Sequence, residues 1–108
     1  MKETLNDDSW SWNVPTYFNI GSACTDAHLG TDTASQVAMI VEDDALGTST
    51  ASFADLAART DRFAQLLRNL GVATGERVLI RLPNSLDYPS AFLGAMKRGS
   101  IAVPTSTL

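Results

Sequence analysis

The chain has 108 residues, of which 44% are hydrophobic and 19% are charged, and its net charge is -4. This length suffices for one domain with its own core and is too short for two. The acidic balance and the scattered Lys and Arg residues argue against nucleic-acid binding. The single cysteine excludes an internal disulfide and favours a reducing compartment such as the cytoplasm. No apolar run reaches the length of a membrane span or of a secretory signal, so we expect neither.

The N-terminal part of the chain is polar and then becomes apolar. Residues 1–15 are acidic and polar, which predicts a flexible arm, although Trp10 and Trp12 offer two side chains with which it can dock. Apolar residues at near-helical spacing predict a short helix over residues 17–29. The apolar run in QVAMIVED, the turn residues after it and the segment TAS predict a β-hairpin.

The clearest element is an amphipathic helix between residues 52 and 71. Ser52 and Asp55 have the spacing of a capping box, with Asp in place of the usual Glu, and Gly71 stands where a left-handed C-terminal stop belongs. Apolar residues recur at helical spacing on one face: Phe53, Leu56, Ala57, Phe63, Ala64, Leu67 and Leu70. The helix is therefore predicted to bury one side.

The rest of the chain alternates strand and helix. RVLIRLP predicts a strand ended by Pro83, NSLDYPSAFLGAMKRG predicts a helix capped by Asn84 or Ser85 and stopped by Gly99, and SIAVPTS predicts a further strand. Together with the strand before the long helix, this order is βαβαβ, which builds a parallel sheet through right-handed crossovers. The expected fold class is α/β.

His28 and Cys24 carry the most reactive types of side chain. His28 has no partner at ligand or triad spacing, since Asp26 would point to a different helical face, so we predict a surface or half-buried histidine and not a general base. Cys24 lies among small apolar residues with no neighbouring Lys or Arg to activate its thiol. We predict a packed core thiol.

Two further segments resemble ligand sites only superficially. Glu42, Asp43 and Asp44 precede Gly47 at a spacing that matches no calcium loop, which predicts a solvated turn. The segment LGTSTAS, residues 46–52, lacks the second glycine and the lysine of a phosphate loop and predicts a turn followed by a helix cap.

The remaining cations have structural explanations. Arg77 and Arg81 share one face of the predicted strand, and Lys97 and Arg98 close the second helix, where cations favour the helix dipole. We therefore predict no catalytic, cofactor-binding or metal-binding residue in this chain.

Several short motifs follow one another in a specific order after Ser49. The long helix opens with an aromatic residue, Phe53, and the pair Asp55-Leu56. The next strand is preceded by two glycine-containing motifs, Leu70-Gly71-Val72 and Gly75-Glu76-Arg77-Val78. The last motifs are the loop Leu82-Pro83-Asn84, Gly99 and Val103-Pro104. In this order they resemble the opening of the AMP-forming acyl-CoA synthetases. These enzymes form part of the adenylate-forming superfamily, with luciferases and peptide-synthetase adenylation domains. The resemblance covers residues 17–108, and residues 17–29 resemble the segment that precedes the domain in acetyl-, medium-chain and benzoate-type CoA ligases.

The resemblance implies an enzyme that activates a carboxylic acid with ATP and Mg²⁺ to an acyl adenylate and passes the acyl group to CoA. The family's phosphate loop, its adenine- and Mg²⁺-binding motifs and its catalytic lysine lie downstream of the segment matched here, so no functional residue is assigned to this chain. Residues 16–108 are expected to be the N-terminal portion of the large domain, cut short at its C-terminal end. The expected partner is the remainder of the synthetase domain.

Two alternatives stay open at this stage. In the first alternative to the acyl-CoA synthetase, the chain is a small non-catalytic α/β module that binds a partner or dimerises. In the second, it is part of an adenylation domain that loads a carrier protein in place of CoA. In every case we predict that the 108-residue chain does not catalyse adenylation alone, because adenylation needs cations placed where charge develops.

Overall fold

The computed structural model describes residues 9–107, which form three α-helices and four strands. The helices are α1 (Ile20–Cys24), α2 (Phe53–Asn69) and α3 (Asp87–Lys97), and the strands are β1 (Val37–Asp43), β2 (Gly47–Ser52), β3 (Arg77–Ile80) and β4 (Ile101–Pro104). Two short 3-10 helices, Asp26–His28 and Asp32–Ser35, lie between α1 and β1. The predicted α/β class is confirmed. In the described part of the chain, no helix is both long and apolar enough to cross a bilayer.

The predicted arm over residues 1–15 lies largely outside the described residues. Residues 9–15 contain no helix or strand, and the rings of Trp10 and Trp12 pack edge to face with their centroids 5.1 Å apart. The flexibility of the arm and a domain boundary at residue 16 stay predictions.

The predicted hairpin is confirmed. β1 and β2 pair antiparallel, and the Asp43 carboxylate accepts hydrogen bonds from the amides of Ala45 and Leu46, at 2.8 and 2.9 Å, which holds the turn. Gly47 has φ near +80°, a backbone conformation that a residue with a Cβ rarely adopts. The hairpin is therefore specified by its own turn residues.

Helix α2 begins and ends as its sequence predicts. The Ser52 hydroxyl accepts from the Asp55 amide and the Asp55 carboxylate accepts from the Ser52 amide, both at 3.0 Å, which is a capping box. Gly71 has φ +84° and ends the helix. Of this helix, Leu56, Ala57, Thr60 and Leu67 are buried, and Phe53, Phe63 and Ala64 are half-buried. Leu70 is 70% exposed because it lies at the C-cap, beyond the last helical residue.

The unit β3–α3–β4 is the predicted parallel crossover. Arg77 pairs with Ile101 and Ile80 with Pro104 in parallel register. Ile80 and the α3 residues Ala91 and Ala95 are buried, so the helix covers one face of this sheet. Pro89 lies in the first turn of α3, where a proline is tolerated. The N-cap is Leu86, one residue after Ser85 and two after Asn84, the predicted caps, because the Ser85 hydroxyl accepts from the amide of Asp87 and holds the turn that precedes the helix.

One detail of the predicted βαβαβ order differs. β2 does not join β3 and β4 in one parallel sheet; within residues 9–107 the strands form two separate two-stranded sheets, β1–β2 and β3–β4. A short turn brings β2 back against β1, so its backbone hydrogen bonds are satisfied locally before α2 carries the chain away.

The helix predicted over residues 17–29 is shorter than expected. It ends at Cys24, and the hydroxyl of Thr25 donates to the Gly21 carbonyl at 2.7 Å, a local side-chain bond that competes with further helix. The segment packs on the C-terminal half of α3, where the Asn19 amide donates to the Met96 carbonyl at 2.9 Å. Gly21 is required at this contact, since a Cβ there would lie 2.5 Å from the Leu93 carbonyl oxygen.

Candidate functional site

The carboxyl ends of β3 and β4 meet at one edge of the parallel sheet and border a cavity of about 380 Å³. In open α/β sheets, ligands bind in the crevice outside the carboxyl ends of the strands. The lining residues come from the loop after β3, the first turn of α3 and the segment after β4; they include Pro83, Asn84, Tyr88, Thr105, Ser106 and Thr107. This cavity is the candidate site.

Local hydrogen bonds fix the two strand exits relative to each other. The amide and the hydroxyl of Thr105 both donate to the Ile80 carbonyl at 2.9 Å, which extends the contact between the strands by one residue. Pro83 cannot donate to a sheet ladder, so the chain leaves the sheet after β3 and turns into α3. The site is therefore positioned by strand ends and not by a mobile loop alone.

The side chains that line this cavity favour hydrogen bonding to a neutral polar group. Asn84 contributes an amide, Tyr88 a phenol, and Thr105, Ser106 and Thr107 contribute hydroxyls. None of the lining residues is a carboxylate, an amine or a guanidinium. The cavity thus has donors and acceptors that can orient a ligand, but its lining contains no pair of a nucleophile and a base.

An apolar groove of about 460 Å³ adjoins this cavity and shares Asn84 and Tyr88 with it. Its walls are β1 and the N-terminal half of α3, and they are formed mainly by Met39, Ile40, Val41, Tyr88, Pro89 and Phe92. Glu42 and Ser85 add polar groups to the same groove.

Lys97 forms the strongest electrostatic cluster among the described residues. Its side chain is only 5% exposed, and its ammonium nitrogen lies 2.8 Å from an Asp26 carboxylate oxygen, 2.7 Å from one of Asp61 and 3.3 Å from the Ala57 carbonyl oxygen. The cluster joins the segment after α1, helix α2 and helix α3. Sequence reasoning explained Lys97 by the helix dipole alone and missed this role, because its acidic partners are 71 and 36 residues away along the chain.

The structure corrects the prediction for Cys24 and confirms the position predicted for His28, whereas the absence of a general-base role for His28 stays a prediction. Cys24 is exposed, not packed in the core. The short helix α1 turns Gly21 towards α3, with Thr25 also buried, which leaves Cys24 facing solvent. His28 is half-buried, with its ring tilted against that of Phe53 at a centroid distance of 4.6 Å.

The remaining sequence candidates have the structural roles that were predicted. Glu42, Asp43 and Asp44 are exposed around the hairpin turn, and residues 46–52 form that turn's end, β2 and the cap of α2. No group of three His, Cys, Asp or Glu side chains within residues 9–107 is arranged as a metal site.

Two of the other basic residues, Arg81 and Arg98, contact backbone carbonyls of this chain. Arg77 and Arg81 are exposed, and the Arg81 guanidinium lies 3.5 Å from the Thr107 carbonyl oxygen. The Arg98 guanidinium donates to the Val72 carbonyl at 2.9 Å. The first contact joins the segments that follow β3 and β4, and the second joins the C-cap of α3 to the turn after α2.

Asp55 has the perturbed acidity that the capping box requires. The Ser52 amide and hydroxyl lower the pKa of the Asp55 carboxyl below its ordinary value of 3.8, with a smaller contribution from Arg59. Hydrogen bonds to the ionised form cause this shift. Asp55 is thus a structural carboxylate at the start of α2 and not part of the candidate site.

Comparison with known proteins finds relatives of this chain among the AMP-binding enzymes. Residues 30–108 match the AMP-binding enzyme family. The chain is 34% identical to acetyl-coenzyme A synthetase of Burkholderia mallei over 79% of this chain and 13% of that protein. It is 41% identical to the long-chain-fatty-acid–CoA ligase FadD13 of Mycobacterium tuberculosis over 52% of this chain and 11% of that protein.

The fold comparison agrees with the sequence comparison. A benzoate CoA ligase from Burkholderia xenovorans superposes on 85% of this chain with a TM-score of 0.70 and 32% identity, and the match covers 17% of that ligase. An acyl-CoA synthetase from Brucella canis superposes on 85% of this chain with a TM-score of 0.74 and 25% identity, covering 16% of that protein. The chain thus spans between about a tenth and a sixth of the length of these relatives.

Proposed function

The chain belongs to the AMP-binding enzyme family, and from this membership we propose that it forms the N-terminal part of the large domain of an AMP-forming acyl-CoA ligase. The match over residues 30–108 carries the proposal. The β3–α3–β4 crossover supports it, because it supplies the parallel strands on which a larger α/β sheet is built.

The proposed reaction joins a carboxylic acid to CoA through an acyl adenylate, with ATP consumed to AMP and diphosphate. The names of the relatives suggest acetate, a fatty acid or an aromatic acid as the substrate. The residues that bind ATP, Mg²⁺ and CoA lie in the parts of such a ligase that this chain does not match. The proposed compartment is the cytoplasm.

Within that enzyme, the role of this chain is scaffolding. Adenylation requires positive charge close to the phosphates as the transition state develops. The residues lining the cavity at the carboxyl ends of β3 and β4 supply hydroxyl and amide groups and no cation. We therefore assign no catalytic, cofactor-binding or metal-binding role to the chain, and we expect it to be inactive alone.

A chimera tests the scaffold role directly. The segment of the Burkholderia xenovorans benzoate CoA ligase that superposes on this chain is replaced by the corresponding residues of this chain. We expect the chimera to show benzoate-dependent exchange between ATP and pyrophosphate and to form benzoyl-CoA, because the two segments share a fold with a TM-score of 0.70. The ligase with the segment deleted and not replaced is the control and should be inactive.

Two results would count against the proposal. Acid-dependent exchange above background by the purified 108-residue chain would show that the chain carries catalytic groups of its own. A folded, soluble chimera that is as inactive as the deletion control would show that this chain does not provide the scaffold.

A further inference from the structure

The β3–β4 sheet has one face that points away from α3. Arg77 pairs with Ile101 and Leu79 with Val103 in parallel register, and paired residues of neighbouring strands point to the same side of a sheet. These four side chains therefore form one face, which we call the Leu79 face. The next residue, Ile80, points to the other side, where α3 packs, and is buried.

The Leu79 face is mostly apolar and is exposed to solvent. Leu79 is 69% exposed and Ile101 is 49% exposed, whereas Val103 is half-buried. Two large aliphatic side chains in water forgo the free energy that their burial would contribute. Sheets of parallel strands occur almost only with both faces covered, and α3 covers one face of this sheet. The Leu79 face therefore indicates a second covering layer outside residues 9–107.

Two observations favour the remainder of the same domain over a second copy of the chain as this layer. The matched segment is 17% of the benzoate CoA ligase, so most of such a protein lies outside the residues of this chain. A stable interface between two proteins uses about 20 to 30 residues from each side, whereas the Leu79 face presents a single row of side chains from each of two short strands. A second copy would also place two Arg77 guanidinium groups in the same small interface.

We propose that the Leu79 face is an internal surface of the large domain, covered by an amphipathic helix from the remainder of that domain. Helices cover parallel sheets because the crossover connections return over the faces of the sheet. The apolar side of the helix contacts Leu79, Ile101 and Val103, and a carboxylate beside that side pairs with Arg77. This inference rests on the proposed function, since it requires that the chain be part of such a domain.

Thiol labelling of the chimera described above tests this inference. Leu79→Cys is introduced together with Cys24→Ser, both in the isolated chain and in the chimera, and mass spectrometry of the peptide around position 79 measures its reaction with a maleimide. We expect labelling to be at least about tenfold slower in the chimera, because the reagent reaches a covered side chain only when the covering layer opens locally. Leu46→Cys is the matched control at the hairpin turn, where Leu46 is 85% exposed, and should be labelled at similar rates in both proteins.

The labelling requires a folded chimera but not an active one, so its result is independent of the catalytic test of the proposed function. A folded, inactive chimera in which position 79 is protected would count against the proposed function and would still support the covered face. Equal labelling of position 79 in the chimera and in the isolated chain would overturn the inference. Slow labelling in the isolated chain that becomes faster on dilution would also overturn it, because it would assign the face to a second copy.

Discussion

The cluster around Lys97 gives the sharpest test of how this chain is held together. Its ammonium group is buried, whereas the side chains of its two acidic partners, Asp26 and Asp61, are 39% and 62% exposed. Removal of each of the three charges should therefore change the free energy of unfolding by a different amount. Neutralising both acids leaves a buried ammonium group without a counter-ion, whereas removing Lys97 leaves two carboxylates that water can reach.

The expected free energies follow from this difference in burial. Breaking a buried ion pair from one side costs about 3 to 5 kcal/mol. We expect about 3 kcal/mol for the double variant D26N/D61N, the lower end of the range, because the asparagine oxygens still accept hydrogen bonds from Lys97. Lys97→Met keeps the apolar stem, removes the buried charge and should cost only about 1 kcal/mol, as for exposed ion pairs. The triple variant D26N/D61N/K97M should be as stable as Lys97→Met, so the changes in the free energy of unfolding should not add.

Urea unfolding of the full chain, followed by circular dichroism at 222 nm, measures these differences. With a slope of about 1 to 1.5 kcal/mol per molar urea for a chain of this size, the double variant should lower the midpoint by about 2 to 3 M. The double variant Asp32→Asn/Asp44→Asn removes two exposed carboxylates and is the control, with an expected change within about 0.5 kcal/mol. The reasoning is wrong if Lys97→Met destabilises the chain as much as D26N/D61N does.

Three further predictions concern single positions. Gly94→Ala should lower the free energy of unfolding, measured in urea, by about 1 to 3 kcal/mol, because the added Cβ would lie 2.9 Å from the Cβ of Phe63 on α2. This loss is expected although alanine favours a helix more than glycine does. An increase in the free energy of unfolding would contradict the close packing of α2 and α3. Because folding lowers the pKa of Asp55, the stabilisation by its carboxylate is present above pH 3.8 and is lost as the pH falls below 3.8 through the folded pKa. Asp55→Asn should therefore reduce the loss of unfolding free energy below pH 3.8, and an unchanged pH profile would exclude Asp55 as its cause. Cys24 is exposed and should react with a thiol reagent in the native chain as fast as in urea, whereas strong native protection would restore the prediction of a core thiol.

The sequence by itself determined the elements whose signals are local. The capping box of Ser52 and Asp55, the glycine at position 71 and the hairpin turn each involve residues within a few positions of one another. The hydrogen bonds that form these features close within one turn of the chain, so their residue types can be read without knowing the fold. The crossover β3–α3–β4 also follows, since strand, helix and strand in sequence favour one right-handed arrangement.

Only part of the candidate site could be predicted from the sequence. The Leu-Pro-Asn motif drew attention to Pro83 and Asn84, but the sequence did not indicate that they face Thr105 across the end of a parallel pair. The positions directly after β3 and β4 were the available signal, because parallel strands bring their carboxyl ends to the same edge. Which groups line the cavity depended on how α3 packs on the two strands.

Only the tertiary structure decided the partners of Lys97, the exposure of Cys24 and, within residues 9–107, the separation of the β1–β2 hairpin from the β3–β4 sheet. A lysine at the end of a helix has the same local sequence whether it is solvated or buried between two carboxylates from distant segments. The apolar neighbours of Cys24 do not reveal which face of a one-turn helix is used for packing. These outcomes depend on contacts between residues far apart in the chain, and such contacts form only when the helices and strands pack against one another.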